Sequence, residues 1–320
     1  MKRFVTALAA ISLLFAASAI ARAQATGSKP DSMTDMKPKT TAGDSNSMMM
    51  AGDHAPPPIM QVETDDVKPY DQVPYDKIAA EYGPVAAKAK LPGWLALEAL
   101  SGPPRAMYFF PYNSFEEMQS AEDVLMKSPA GAQFKSFDAA EAPYVSEVHN
   151  IIWHYRDDLS NNATGADLPH DRFWETIAFH IKPGHDMEYE DLMKVVQATY
   201  LKIGANIPWA TFESEMGASD TYLVLVPMKS LKEEDEGLAR DKAFMDALGD
   251  EGMHHMDEVA REAYASVEDQ LWEVNPKTSY PPPDWVSANP DFWAPKAMAP
   301  MAKEKPTMTT PMKPAPKPAQ

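Results

Sequence analysis

The feature that most constrains this chain is an internal repeat. Ile181-Lys182-Pro183, followed by Tyr189 and Leu192, answers Val67-Lys68-Pro69, followed by Tyr75 and Ile78, at a shift of 114 residues. Trp209, Glu213 and Gly217 answer Trp94, Glu98 and Gly102 at a shift of 115. Pro227, Ser230 and Glu233 answer Pro111, Ser114 and Glu117 at 116, and Trp272 answers Trp153 at 119. Landmarks that keep their order while drifting by a residue or two are what two copies of one supersecondary unit produce. The copies span residues 59–158 and 173–275.

The second copy is the easier to parse. Phe173, Ile177, Phe179 and Ile181 share one face of an alternating strand, and Pro183-Gly184 turns the chain. Asp186 opens a helix in which Tyr189, Leu192, Val196, Tyr200 and Ile203 recur at three- and four-residue steps until Gly204. Strands follow at Trp209–Met216 and Thr221–Val226. Ser230 and Glu233 then read as a capping box, as do Ser114 and Glu117 in the first copy. A helical stretch over Glu251–Tyr264 precedes the last strand, Ala265–Val274. The first copy reads alike, although its first strand, Ile59–Val67, is interrupted by Asp65 and Asp66. Strand-helix-strand twice over is the ferredoxin-like arrangement, which covers one sheet face with helices and leaves the other bare. Two copies hide both bare faces by packing them together. The expected fold class is therefore α+β: two fused ferredoxin-like βαββαβ repeats pairing sheet to sheet as an intrachain α+β barrel.

The ends of the chain differ from this body. Lys2 and Arg3 precede an apolar run, Phe4–Ile20, and then Ala21-Arg22-Ala23, the pattern of a signal peptide over residues 1–25. The run is shorter than the roughly 20 residues of a spanning helix, so export to the periplasm or beyond is expected, with no span left after cleavage. With no cysteine, thiol catalysis and thiolate metal sites are excluded. Residues 26–58 and 297–320 have the composition of disordered segments rich in Met, Pro, Lys, Ser and Thr. Between them, 276–296 carries prolines and the aromatics Trp285, Phe292 and Trp293, and is expected to wrap back over the second copy without regular structure.

The net charge is −18. Residues 1–58 hold six Lys/Arg against four Asp and residues 296–320 five Lys against one Glu, which leaves −24 for the body. Such a surface disfavours nucleic acid as a partner.

Gly93-Trp94, Glu98, Gly102, the run Tyr108–Tyr112 and Ser114-Phe115-Glu116-Glu117 resemble the NIPSNAP family. More broadly they resemble the dimeric α+β barrel superfamily, which includes antibiotic-biosynthesis monooxygenases. The likeness covers both copies, and its motifs mark the fold rather than a reaction. It implies a range from oxygenases and haem enzymes to proteins without known chemistry.

Candidate site residues follow from which strand faces turn inward. Leu95 and Leu97, and Ala210 and Phe212, suit a face packed under helices. The opposite faces, Trp94, Ala96 and Glu98 in one copy and Trp209, Thr211 and Glu213 in the other, would then line a pocket between the sheets. The blander placement, both Glu at the barrel rim and solvated or paired with Arg105 or lysines, stays open beside it. Trp174, Thr176, Ala178 and His180 are also expected to look inward, with His180 as a general base or haem ligand. His149 and Trp153 share a face of the first copy's last strand, with His154 on the other. His254 and Glu258 are four apart on a helix and form a weak metal pair. Three functions stay open. The first is an exported small-ligand-binding protein. The second is a monooxygenase-type enzyme, with haem or no cofactor, using His180, Glu98 and Glu213. The third is copper handling by the tails, through Met33, Met36, Met48–Met50, His54, Met60, Met298, Met301, Met308 and Met312. Association into a homo-oligomer is open too. No nucleophile-base pair or phosphate-binding loop is present, which disfavours hydrolase and nucleotide chemistry.

Overall fold

Alternation along each predicted strand is realised as a closed, eight-stranded antiparallel barrel. The computed structural model describes residues 56–294. The expected signal peptide, most of the 26–58 segment, the 297–320 segment and nearly all the tail methionines lie outside the described residues. The first half contains β1 (Ile59–Val67), α1 (Gln72–Ala79), α2 (Tyr82–Ala89), β2 (Leu95–Ala99), β3 (Arg105–Tyr112), α3 (Phe115–Lys127), α4 (Pro129–Glu141) and β4 (Val145–Tyr155). The second contains β5 (Phe173–Ile181), α5 (Asp186–Lys202), β6 (Ala210–Met216), β7 (Thr221–Met228), α6 (Lys232–Ala263) and β8 (Tyr264–Val274). Around the barrel the order is β1-β3-β2-β8-β5-β7-β6-β4. Each half thus contributes its strands in the same order, and the seams are β2–β8 and β4–β6.

The sequence shifts reappear in the strand register. Met60 faces Trp153 and Glu63 faces Tyr108 in the first half; Trp174 faces Trp272 and Ile177 faces Val224 in the second. Lys68 and Lys182 play matching parts. Each donates its backbone N–H to the end of the helical segment before the last strand (Tyr144 O and Ala263 O). Their ammonium groups cap Pro143 O and Arg261 O there, where a cation meets the negative end of the helix dipole. Gly102 and Gly217 have φ of +75° and +102°, and a Cβ on either would collide across a seam with Gln270 or with the Asn150 carbonyl.

Two departures from expectation concern helices. The segment predicted as irregular folds into α7 (Pro283–Ala288) and α8 (Pro290–Trp293), each begun by a proline at its first turn, where no N–H is missed. It packs on both halves rather than the second alone, since Tyr280 bridges to Trp94 while Trp285 and Trp293 enter the core between the sheets. The capping box at Ser230 and the later stretch merge into one long α6, broken at Gly249 with φ of 77°. Among the described residues no helix is long and apolar enough to cross a membrane.

Candidate functional site

Three cores result, and they decide where each candidate residue points. The barrel interior is filled from every strand, by Met60, Val62, Leu95, Leu97, Met107, Phe109, Trp153, Trp174, Phe212, Leu223, Leu225, Trp272 and Val274, with Trp285 and Trp293 closing one end. Trp94 and Ala96 instead pack under the first half's helices, and Trp209 under those of the second. The inward and outward faces of β2 and β6 are therefore the reverse of those expected. Alternation cannot reveal this, because Trp94, Leu95, Ala96 and Leu97 are all buried.

The repeated Trp and Glu have a shared structural task. Trp94 donates its indole N–H to Thr278 O and Trp209 donates to Leu159 O. Thr278 and Leu159 each lie four residues past the last strand of the opposite half. Backbone N–H groups of Ala96 and Thr211 bond Ser279 and Ser160 in the same way, and the Thr211 hydroxyl also reaches Leu159 O. Glu98 is approached by Asn275 Nδ2 at 3.5 Å, and Glu213 by Arg156 at 2.6 Å. The motif thus clasps the chain leaving the other half, and Glu98 and Glu213 share no pocket between the sheets. Burial, then Asp76 and Glu273, push the Glu98 carboxyl upward. Arg156 also binds Glu190 at 2.7 Å and Asp158 at 2.9 Å. Arg156→Ala leaves Glu190 and Glu213 without their cation. Urea denaturation is expected to show a loss of about 1–3 kcal/mol, the partial exposure of these groups taking the value below that of a fully buried pair.

The remaining candidates are dispersed. Trp174 and Trp153 do face the barrel interior, where Trp174 stacks on Phe109 at 6.0 Å. Thr176 accepts from the Trp272 indole at 2.8 Å. His180, at the end of β5, contacts the Thr221 hydroxyl at 3.2 Å and lines neither cavity described below. His154 sits between Glu213 and Glu215 at 3.4 and 3.2 Å. His149 is half exposed and forms, with Asp66 and Glu147, the only set among the described residues whose ligand atoms lie within 4.8 Å of one another. Asp66 is already neutralised by Arg105 at 2.6 Å, and the site is open to solvent. Among the described residues, His254 and Glu258 on α6 acquire no third ligand. No histidine lines either cavity, so neither offers the imidazole axial ligand expected of His180.

A cavity of about 450 Å³ lies elsewhere, between the outer face of the first half's sheet and α1, α2, α3 and α4. Glu63 and Asp65 of β1, Tyr108 and Phe110 of β3, and Trp94 form its floor; Tyr75, Tyr82, Phe134, Asp138 and Glu141 descend from the helices. Tyr75 donates to Asp65 Oδ2 at 2.6 Å, and its oxygen is 2.8 Å from that of Tyr108. Because the single Tyr75 proton is spent on Asp65, Tyr108 must donate to Tyr75, giving a relay of phenols that ends on a carboxylate. Asp65 is 6% exposed, and its Oδ1 is buried without a partner. Tyr82 lies 2.7 Å from Asp138 and 2.9 Å from Glu141. Burial pushes Glu63 up to about 7, with Asp65 and Asp138 adding repulsion, and Glu141 also to about 7 through burial and its acidic neighbours. Asp65 is raised by the same causes, partly offset by Tyr75.

The second half shows what these positions look like when packed. The register equivalents of Glu63, Asp65, Tyr108 and Phe110 are Ile177, Phe179, Val224 and Val226, all in a continuous apolar core with Tyr189, Met193 and Tyr264. A smaller cavity of about 370 Å³ at the start of α6 is lined by Glu175, Glu234 and Arg240. Trp94, expected to line a pocket between the sheets, lines this one under the helices instead, and the acids of β1 were legible as an interruption of the strand. Tyr75 and Tyr108 were legible only as landmarks of the fold, and Asp138 and Glu141 carried no pattern of their own.

With this geometry the architecture can be set beside known proteins. The chain is an α+β barrel closed within one polypeptide. No family model and no curated protein matches it. Among solved structures, the barrel is similar to a candidate monooxygenase from Fusobacterium nucleatum at 12% identity and a TM-score of 0.46, over 69% of this chain and 94% of that one. It is similar to an anthrone oxidase-like protein at 12% identity and 0.47, over 68% and 91%. A mutant chlorite dismutase from Candidatus Nitrospira defluvii follows at 9% and 0.42, over 73% and 96%. A NIPSNAP domain protein from Burkholderia xenovorans, at 14% and 0.25, covers 29% of the chain and 90% of its own.

Proposed function

We propose that this is an exported small-ligand-binding protein whose site is the cavity under the first half's helices, and that its two halves descend from one duplicated unit. The supporting observation is the contrast between the halves. Positions that Ile177, Phe179 and Val224 fill with hydrocarbon in one half carry Glu63, Asp65 and Tyr108 around open volume in the other. Burying carboxylates in place of a packed apolar core costs stability, and a site that recognises a ligand repays that cost on binding. The volume is that of an ordinary small-molecule pocket, with aromatic walls and a few placed polar groups.

The test is retention of the ligand. Protein isolated from its native host, denatured and extracted, should yield a small molecule in stoichiometric amount by mass spectrometry. Ala79, 3% exposed on the cavity wall, is a site where a phenyl ring fills the space. Ala79→Phe should abolish co-purification while leaving the melting temperature at or above that of the parent. Equal retention by the filled variant counts against this site.

A second reading, cofactor-independent chemistry in the same cavity, is favoured by the relay ending on Asp65, whose unpartnered oxygen is placed as a general base is. In that case Asp65→Asn holds the ligand and accumulates it unchanged.

A further inference from the structure

Three features compete for a further role. The Asp66–Glu147–His149 group has ligand atoms close together but already holds Arg105. In the barrel interior the indole N–H groups of Trp153, Trp174 and Trp285 are buried without partners, and the rings pack within one apolar core. The first-half cavity goes furthest, because its charge, walls and one orphaned oxygen all point the same way.

We infer that the ligand of the first-half cavity is an organic cation, an alkyl- or arylammonium group seated against Asp65 and the aromatic walls; this rests on the ligand-binding reading above. Several carboxylates elsewhere in the molecule have cations, Asp66 from Arg105, Glu190 and Glu213 from Arg156, and Asp167 from Lys229, while Asp171 and Glu175 each keep one buried oxygen without a partner. The cavity is different. Glu63, Asp65, Asp138 and Glu141 line it, and no lysine or arginine does. Asp65 Oδ1, in a residue 94% buried, has no hydrogen-bond partner, which is a costly condition for a carboxylate oxygen unless a donor or positive charge arrives.

The phenols repeat the message. The Tyr82 hydroxyl has one proton, yet carboxylate oxygens of Asp138 and Glu141 both lie within 2.9 Å of it. One of those contacts requires an extra proton, so the cluster is short of positive charge. Burial and mutual repulsion raise Glu63 and Glu141 in keeping with that deficit.

The walls select the kind of cation. Trp94 spends its N–H on Thr278 O, so what it offers the cavity is ring surface, with Phe110 5.8 Å away. Tyr82 and Phe134 stand edge to face at 4.8 Å on the helix side. Ring faces attract a weakly hydrated, diffuse cation and do nothing to replace the water of a small metal ion. The carboxylates also fail to converge as metal ligands do, since none of the four belongs to the one close-set group among the described residues.

The experiment is calorimetric titration of the full chain with three probes of similar size and different charge: benzylammonium, benzyl alcohol and benzoate. The cation is expected to bind about tenfold or more tightly than the alcohol, and benzoate not at all. Asp65→Asn and, separately, Glu141→Gln should each weaken the cation by about tenfold. Glu147→Gln, outside the cavity, should leave it unchanged, and thermal melts report whether each variant is folded. Alcohol binding as tight as the cation's, or cation affinity untouched by both cavity variants, overturns the ligand class while leaving a binding cavity. Absence of saturable binding by all three probes overturns both readings. Tighter binding of manganous ion, lost in the same variants, replaces the organic cation with a metal.

Discussion

Trp285→Ala is expected to lower the unfolding free energy by about 3–5 kcal/mol, the range for removing a fully buried large aromatic. The residue is 1% exposed, sits in the core shared by both sheets and lies 5.5 Å from Trp293. Its indole N–H has no partner, so the loss is of packing rather than of a hydrogen bond. Trp285→Phe should therefore recover much of the stability. The result separates two pictures of the C-terminal segment. A strap lying outside an already complete barrel would change the midpoint little, and a plug that completes the core would shift the whole cooperative transition. Guanidinium unfolding followed by both far-ultraviolet circular dichroism and tryptophan emission distinguishes them. A change below about 1 kcal/mol rejects the plug.

The second large effect is on pH dependence, and its direction opposes the common one. In the folded chain Glu63 and Glu141 keep their protons up to about 7, whereas their ordinary value is 4.5. Between those values the folded state binds more protons than the unfolded state, so stability falls as pH rises. The contribution is whole below the unfolded value and gone above the folded one. Buried Asp171 and Asp241, each raised to about 6, act in the same direction. Asp158 and Glu190, lowered chiefly by hydrogen bonds from Arg156, lose their contribution only in more acid solution. From about pH 5 to about pH 8 the apo protein should lose about 2–4 kcal/mol, a figure discounted for water reaching the cavity. A Glu63→Gln/Glu141→Gln double variant should be the more stable protein at the upper end and show a flatter profile. Parallel profiles for parent and variant would refute the assignment. A bound cation should flatten the parent's profile as well, which ties the stability defect to the site.

How far the residues alone led is clearest at β2 and β6. Their existence, their repeated Trp, Glu and Gly, and their place in a βαββαβ order were legible, since turn chemistry and a 3.6- or two-residue period are local properties. Their facing was not. Both faces of β2 are buried, so alternation carries no contrast, and Leu95 and Leu97 took the barrel interior while Trp94 and Ala96 went under the helices. Glu98 and Glu213 looked like a catalytic pair because they recur. They recur because each half must hold the chain that leaves the other, through Asn275 and Arg156.

The amino-acid sequence by itself determined the architecture: two similar sheet-and-helix units, each with one face that only the other could cover, and hence an intrachain barrel. It also displayed the acids in β1 that break an otherwise apolar strand. Tertiary structure decided what those acids do. Only when α1, α2 and α4 fold over the sheet do Tyr75, Asp138 and Glu141, 10 to 78 residues from Asp65 or Glu63 in the chain, surround them. A cavity is a property of what fails to meet across space, and no local pattern encodes the absence of a neighbour.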